Sequence, residues 1–195
     1  NAFQVKMLPA DADPMDVRYN VIQWVHRATR GWSYGSSVID PRTGEIIKGH
    51  VTLGSLRVRQ DMKIAEGLIG PFNKENSEEL KEKIEQMALA RIRQLSAHEV
   101  GHTLGIAHNF AASTDNRASV MDYPHPLVTL TTDGEVSLND AYDTGIGEWD
   151  KQVVAYGYSD FGGMPSEQEQ LDRILQQNKS LGLSFISDRD ARPVG

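Results

Sequence analysis

The sequence predicts an α+β fold, because strand-like and helical patterns occupy different parts of the chain. Segments that favour strands lie within the first third and include a hairpin signal. A long helical pattern covers residues 77–104, and shorter ones cover residues 148–156 and 165–180. With 195 residues, 39% of them hydrophobic and 24% charged, the chain is long enough for one globular domain with a sizeable core.

The N-terminal third is predicted to supply the strands. Residues 3–8 alternate apolar and polar side chains, which is typical of a strand. Residues 17–26 are ambiguous, because they have apolar side chains at helical spacing but are rich in β-branched and aromatic residues. Residues 36–39 and 45–53 flank the turn DPRTG, in which Pro and Gly favour a hairpin. Residues 56–68 fit either a short helix or a loop.

Residues 77–104 are predicted to form the longest helix. Asn76 is placed as its N-cap, and Glu79 follows three residues later as in a capping box. Apolar side chains then recur at helical spacing, at Leu80, Ile84, Met87 and Leu95. This helix carries the most informative residues of the chain in its last turns.

The last third is predicted to be irregular and helical. Residues 124–144 contain two prolines and an Asp-Gly pair, which favour a loop. Residues 148–156 and 165–180 have helical patterns, and Gly182 is placed to end the second of these helices.

The candidate catalytic residues are concentrated in the run HEVGHTLGIAH. His98 and His102 are four residues apart, so they project from one face of a helix and can bind one metal ion. Glu99 lies beside the first histidine, where a carboxylate can reach a water on that metal. Gly105 allows the helix to end and turn, and His108 can return as a third ligand. Three imidazoles with an open position are typical of a catalytic zinc site.

The complete pattern HExxHxxGxxH is specific, since its chance occurrence is roughly 3 in 100,000 chains of this composition. The alternative is an amphipathic helix whose histidines are solvated or hydrogen-bonded, and it accounts for neither Gly105 nor His108. The chain has no cysteine, which excludes thiolate zinc sites and disulfides within it.

A second motif, SVMDY, follows the histidine run. HExxHxxGxxH followed by a methionine-containing turn resembles the signature of the metzincin metallopeptidases. The resemblance implies that Met121 forms an apolar floor beneath the zinc ligands, with an ordinary core methionine as the alternative. Astacins and serralysins carry a tyrosine two residues after this methionine. That similarity implies that Tyr123 approaches the zinc and stabilises the oxyanion, with a packed tyrosine as the alternative.

The strings DPRTGEI, HEVGHTLGIAHNF and SVMDY are similar to an uncharacterised bacterial family called Met-zincin, over about residues 17–160. In better-known metzincin families the residue after the third histidine is often Glu, Asp, Ser or Pro, whereas this chain has Asn109. The difference argues against astacins, matrixins, adamalysins and serralysins. Substrate preferences transferred from those families are therefore not expected to hold.

The resemblance implies a metzincin-like (zincin) catalytic domain. A mixed twisted sheet and the long active-site helix would form an upper subdomain, about residues 1–108, above the cleft. A mostly helical or irregular lower subdomain would span about residues 109–195. The resemblance also favours a strand at 17–26 and an antiparallel edge strand at 34–39 that pairs with extended substrate. An ordinary exposed hairpin is the alternative for the edge strand.

Metzincin upper subdomains usually contain a long helix that backs the sheet. No such helix is evident before residue 77. We expect it to lie upstream of Asn1 rather than within residues 14–29, in a chain that is a fragment of a longer protein.

The function implied by the resemblance is that of a zinc-dependent endopeptidase. One Zn²⁺ held by His98, His102 and His108 would activate a water, with Glu99 as general base and Tyr123 as an oxyanion stabiliser. Two alternatives stay open. One is a catalytically inactive binding module, against which the intact Glu99 argues. The other is a zinc hydrolase of a non-peptide amide, for which an enclosed pocket is expected.

Bulk properties narrow the range of partners. A net charge of −7 gives no indication of nucleic-acid binding. No apolar run approaches the ~20 residues needed to span a membrane. The resemblance implies a peptide or protein substrate, and it also implies export to the periplasm, the cell surface or the medium.

Several other residues are expected to have structural roles. Asp122 is a candidate to support a zinc-binding histidine, although a local turn cap is the favoured interpretation. The remaining histidines are expected at the surface or satisfied in the core, and the tryptophans in the core. These residues are His26, His50, His125, Trp24, Trp32 and Trp149.

Overall fold

The computed structural model describes residues 3–29, 31–72, 77–163 and 166–190. The strands are β1 (Val21–Val25), β2 (Tyr34–Ile39), β3 (Ile46–Gly54), β4 (Thr129–Leu130) and β5 (Val136–Ser137). The α-helices are α1 (Leu56–Ile69), α2 (Ser77–Thr103), α3 (Glu148–Tyr158) and α4 (Glu167–Ser180). This mixture of a small sheet and helices confirms the predicted α+β class. The predicted cap at Asn76 lies outside the described residues.

The larger sheet has the strand order β1-β3-β2, with β1 parallel and β2 antiparallel to β3. The predicted hairpin is confirmed, and Gly44 supplies the positive φ of +78° that its turn requires. The strand interpretation of residues 17–26 is confirmed by β1. The strand predicted at residues 3–8 is wrong. No described strand pairs with that segment, and its residues Phe3, Val5 and Met7 are 67%, 88% and 94% exposed.

The helix α1 resolves the open choice for residues 56–68 in favour of a helix. It follows β3 directly and packs along α2, where Ala65 and Ile69 bury against Met87. It is therefore a helix that precedes residue 77 and packs on α2, and it is one of the two possibilities that the sequence left open for this segment. Residues 14–29 contain β1 and no helix.

Two further clusters of buried side chains hold the elements that border α2. Val51 and Leu53 of β3 pack against Leu95 of α2. Below the C-terminal half of α2, residues of the irregular segment bury with α3, namely Ala112, Ala118, Val120, Met121 and Trp149. Both clusters contact α2 or its neighbours, so this helix is the rigid support on which the histidine run is presented.

The tryptophans divide between core and surface. Trp149 is 7% exposed, as predicted for a core residue. Trp24 and Trp32 are 45% and 72% exposed, so the core assignment for them is wrong. Trp24 is exposed because it lies on the same face of β1 as the exposed Ile22, opposite to the face that buries Val21.

The C-terminal region is close to the prediction. Helices α3 and α4 occupy the two predicted segments, and Gly182 ends α4 with a φ of +70°. The predicted loop 124–144 contains the short hairpin β4–β5 and is otherwise irregular. Among the described residues, none of the helices combines the length and the apolar character needed to cross a bilayer.

At Gly35, β2 lies close to the backbone of α2. A Cβ at position 35 would overlap the carbonyl oxygen of Glu99 and lie 2.8 Å from its carbonyl carbon. We expect Gly35→Ala to lower the free energy of unfolding by about 2 kcal/mol or more, because neither backbone can move aside. Urea denaturation measures this. In the matched control Gly67→Ala, in α1, the Cβ meets nothing within 4 Å, so we expect a gain of up to ~1 kcal/mol. Equal stability of the two variants would contradict the close approach.

Candidate metal centre and active site

The end of α2 and the turn that follows bring three histidines together. His98 and His102 lie on one face of the last turns of α2. Gly105 adopts a φ of +80°, which glycine tolerates and which turns the chain back on itself. His108 returns beside the helix, and the Nε2 atom of His102 is 3.1 Å from the Nε2 atoms of both His98 and His108.

The hydrogen bonds of the three rings show what the cluster can bind. Each Nδ1 atom has its own oxygen acceptor, so each ring carries its proton on Nδ1 and directs the lone pair of Nε2 inward. The acceptors are Val120 O at 2.7 Å, Ile106 O at 2.9 Å and Asp188 Oδ2 at 2.6 Å. Three converging lone pairs repel one another unless a cation lies between them. Two imidazole nitrogens on a tetrahedral zinc are separated by about 3.3 Å, close to the separation seen here.

The protonation states also suit a metal. Burial lowers the pKa of His98 to about 4, against a smaller opposing effect of its bond to the Val120 carbonyl. Burial also lowers the pKa of His102. Both rings are therefore neutral near pH 7, as metal ligands must be. Among the described residues, these three histidines form a cluster that could hold a metal ion. Their possible ligand atoms all lie within 4.8 Å of one another.

Glu99 lies one residue after His98 and is 3% exposed. Burial raises the pKa of its carboxyl group to about 7, and the N–H of Gly35 opposes this by donating a hydrogen bond to it. A dication beside the carboxyl group would lower that pKa. A carboxyl group with a pKa not far below neutral pH has the proton affinity of a useful general base.

Tyr123 comes to the same cluster from the segment after the histidine run. Its hydroxyl oxygen is 2.7 Å from Nε2 of His108, the nitrogen that faces His102. Its ring is 4.8 Å from that of His108 and 5.2 Å from that of His98, centroid to centroid. The side chain is 55% exposed, so the phenol borders both the cluster and solvent.

Met121 lies against α2 near the histidines. It is 1% exposed, and its sulfur occupies the space that a side chain at Gly101 would need. Buried Asp150 of α3 fixes the turn that carries Met121. Its carboxylate accepts hydrogen bonds from Ser119 Oγ at 2.5 Å, Val120 N at 2.8 Å and Gly147 N at 2.7 Å. The Val120 carbonyl that binds His98 is held in place by this arrangement.

The structure supports the favoured interpretation of Asp122, that of a local turn cap. Asp122 accepts hydrogen bonds from Tyr123 N at 2.7 Å and from the hydroxyl of Ser113, so it is a turn cap. The carboxylate that contacts a histidine is Asp188, 80 residues after His108. No local sequence pattern links these two positions, and only the folded chain brings them together.

Asn109 has a role that the sequence did not reveal. It is fully buried, and its Nδ2 donates to Ser184 O at 2.9 Å, while its Oδ1 accepts from Ala111 N and Ile186 N, both at 3.2 Å. The residue that departs from the better-known metzincins therefore fastens the C-terminal segment beside the third histidine. An amide is suited to this position because it donates and accepts at once.

One comparison with known proteins identifies a family, and two others find no match. No curated protein and no solved structure matches the chain. A sequence profile of the Met-zincin family matches residues 80–195, which is more than half of the chain and includes the histidine run and the methionine turn. Together with the histidine cluster, this match shows that the chain belongs to the Met-zincin family.

Proposed function

We propose that the protein is a zinc-dependent endopeptidase. The observation that carries the proposal is the convergence of three imidazoles, whose Nε2 atoms meet at one point, next to the buried carboxyl group of Glu99. Membership of the Met-zincin family supports a metallopeptidase, because that family name denotes zinc chemistry of the HExxH type.

In this proposal His98, His102 and His108 hold one Zn²⁺. When bound, the metal supplies an activated water and a Lewis acid for the scissile carbonyl. Glu99 accepts the proton of the attacking water and passes it to the leaving amine. The phenol of Tyr123 leaves His108 Nε2 and donates a hydrogen bond to the developing oxyanion. Met121 keeps the floor of the site apolar and rigid.

The substrate is proposed to bind as an extended peptide along β2. That strand pairs with β3 on one side, and no other described strand pairs with its outer edge. Gly35 of this strand contacts Glu99 directly, so a peptide beside β2 would run past the proposed base. The proposed cleft separates an upper part, about residues 1–108, from a lower part, about residues 109–195. Export from the cell is also a proposal, which rests on the family resemblance.

Removal of the metal tests this function. We expect the purified protein to contain one zinc per chain and to cleave a denatured protein pool. A strong chelator should abolish cleavage, and a stoichiometric amount of Zn²⁺ should restore it, because water activation is lost and regained with the metal. Zinc content is measured by elemental analysis and cleavage by the release of new amino termini. Zinc binding without cleavage of any peptide would favour the inactive module or the non-peptide hydrolase.

A further inference from the structure

A segment near the C-terminus crosses the lower part of the site, and we call residues 183–188 the strap. Its backbone is tied to the loop after the histidine run by Phe110 N, which donates to Ile186 O at 2.7 Å, and by the two hydrogen bonds that Asn109 makes with Ser184 O and Ile186 N. Ser184 N donates to Asp115 Oδ2 at 3.1 Å. The strap is thus hydrogen-bonded to the loop after the histidine run at two of its residues, Ser184 and Ile186, before it reaches Asp188.

An aromatic contact anchors the middle of the strap. The ring of Phe185 stacks on that of Trp149, with 5.5 Å between centroids and 3° between planes. Trp149 is itself buried in the cluster that contains Met121. The strap is therefore packed on the same core that supports the methionine turn, which limits how far its last residue can move.

At its end the strap presents Asp188 to the third histidine. Asp188 Oδ2 is 2.6 Å from Nδ1 of His108, and the His108 side chain is 16% exposed. His98 and His102 differ, because their Nδ1 atoms donate to main-chain carbonyls. His108 is the ligand on an irregular segment outside α2, where no helix fixes its ring. Of the three histidines, His108 is also the one whose Nδ1 atom contacts a carboxylate.

We propose that Asp188 is a positioning residue that holds His108 for the metal, and that the strap thereby couples zinc affinity to the C-terminal segment. The inference rests on the proposed zinc site. The carboxylate fixes the proton of His108 on Nδ1, keeps Nε2 free to bind the metal, and increases the electron density of the ring. It also prevents rotation of the ring about the Cα–Cβ bond, which would remove Nε2 from the cluster.

The test measures zinc affinity in three variants of the whole chain. Asp188→Ala removes the acceptor, Asp188→Asn keeps an acceptor of the same shape without the charge, and Asp190→Ala is the matched control. Asp190 lies two residues away and accepts a hydrogen bond from Ser187 N at 3.2 Å, with no contact to the histidines described. The dissociation constant is measured by competition with a chelating dye, and the ligand field by the visible spectrum of the Co²⁺-loaded protein.

We expect Asp188→Ala to weaken zinc binding about tenfold or more, Asp188→Asn to weaken it less, and Asp190→Ala to change it by less than twofold. The Co²⁺ spectrum should shift in Asp188→Ala alone or most strongly there. The thermal midpoint of the metal-free protein separates positioning from folding. If Asp188→Ala lowers that midpoint, Asp188→Asn decides, because it keeps the shape of the side chain.

Two results would overturn the inference in different ways. A wild-type protein that binds zinc tightly, with Asp188→Ala and Asp188→Asn both within twofold of it, would remove the role of Asp188 and leave the proposed function intact. A wild-type protein without measurable zinc affinity would overturn the proposed function, and the role of Asp188 with it.

Discussion

Replacing Glu99 by glutamine is expected to lower kcat for peptide cleavage by about 10²- to 10⁴-fold while one zinc per chain stays bound. Glutamine has nearly the same shape as glutamate, but it does not accept a proton from the attacking water. The side chain is buried against Gly35, so a carboxylate ion from the solvent cannot reach this position and replace the missing base. The three histidines are untouched by the change. Initial rates on a peptide library, together with zinc content, measure both halves of this expectation.

A matched control for this change lies on the same helix. Glu85 is an exposed residue of α2, and Glu85→Gln removes the same charge from the same element. We expect it to retain activity within about twofold, because a solvated charge at this distance from the site is screened by solvent and salt. If Glu99→Gln kept more than a tenth of the wild-type kcat, Glu99 would not be the general base.

The helix α2 and the convergence of the three histidines at its end were predictable because the signal is local. The i, i+4 spacing of His98 and His102 and the glycine that ends the helix fix their relative positions within about ten residues of chain. The hairpin around Gly44 was predictable for the same reason. Each of these features is determined by side chains that are neighbours in sequence.

The parts that failed depend on partners far away in the chain. Residues 3–8 alternate like a strand, but alternation forms a strand only where another strand pairs with it. Asp122 was favoured as a turn cap, and no local pattern indicated Asp188, which contacts His108 from 80 residues away. Asn109 was recognised as a departure from known families, yet its hydrogen bonds to Ser184 and Ile186 required the folded chain.

Asp150→Ala is expected to lower the free energy of unfolding by about 3 to 5 kcal/mol, the largest stability effect among these predictions. Asp150 is 3% exposed and accepts three hydrogen bonds, two of them from backbone N–H groups. Alanine leaves those N–H groups buried without an acceptor, and each costs about 1 to 3 kcal/mol. Urea denaturation of the metal-free protein measures the loss without a contribution from zinc.

The position of Asp150 makes this a test of the site as well as of stability. The residue binds Val120 N, and the carbonyl of Val120 accepts the Nδ1–H of His98, so the turn and the ligand share one anchor. Glu148→Ala, in the first turn of the same helix with an exposed side chain, is the control and should change stability by less than about 0.5 kcal/mol. Near-equal stability of the two variants would mean that α3 does not hold the methionine turn. A large loss confined to Asp150→Ala would show that the floor of the proposed metal centre depends on a carboxylate about 50 residues beyond His98, which it supports through Val120.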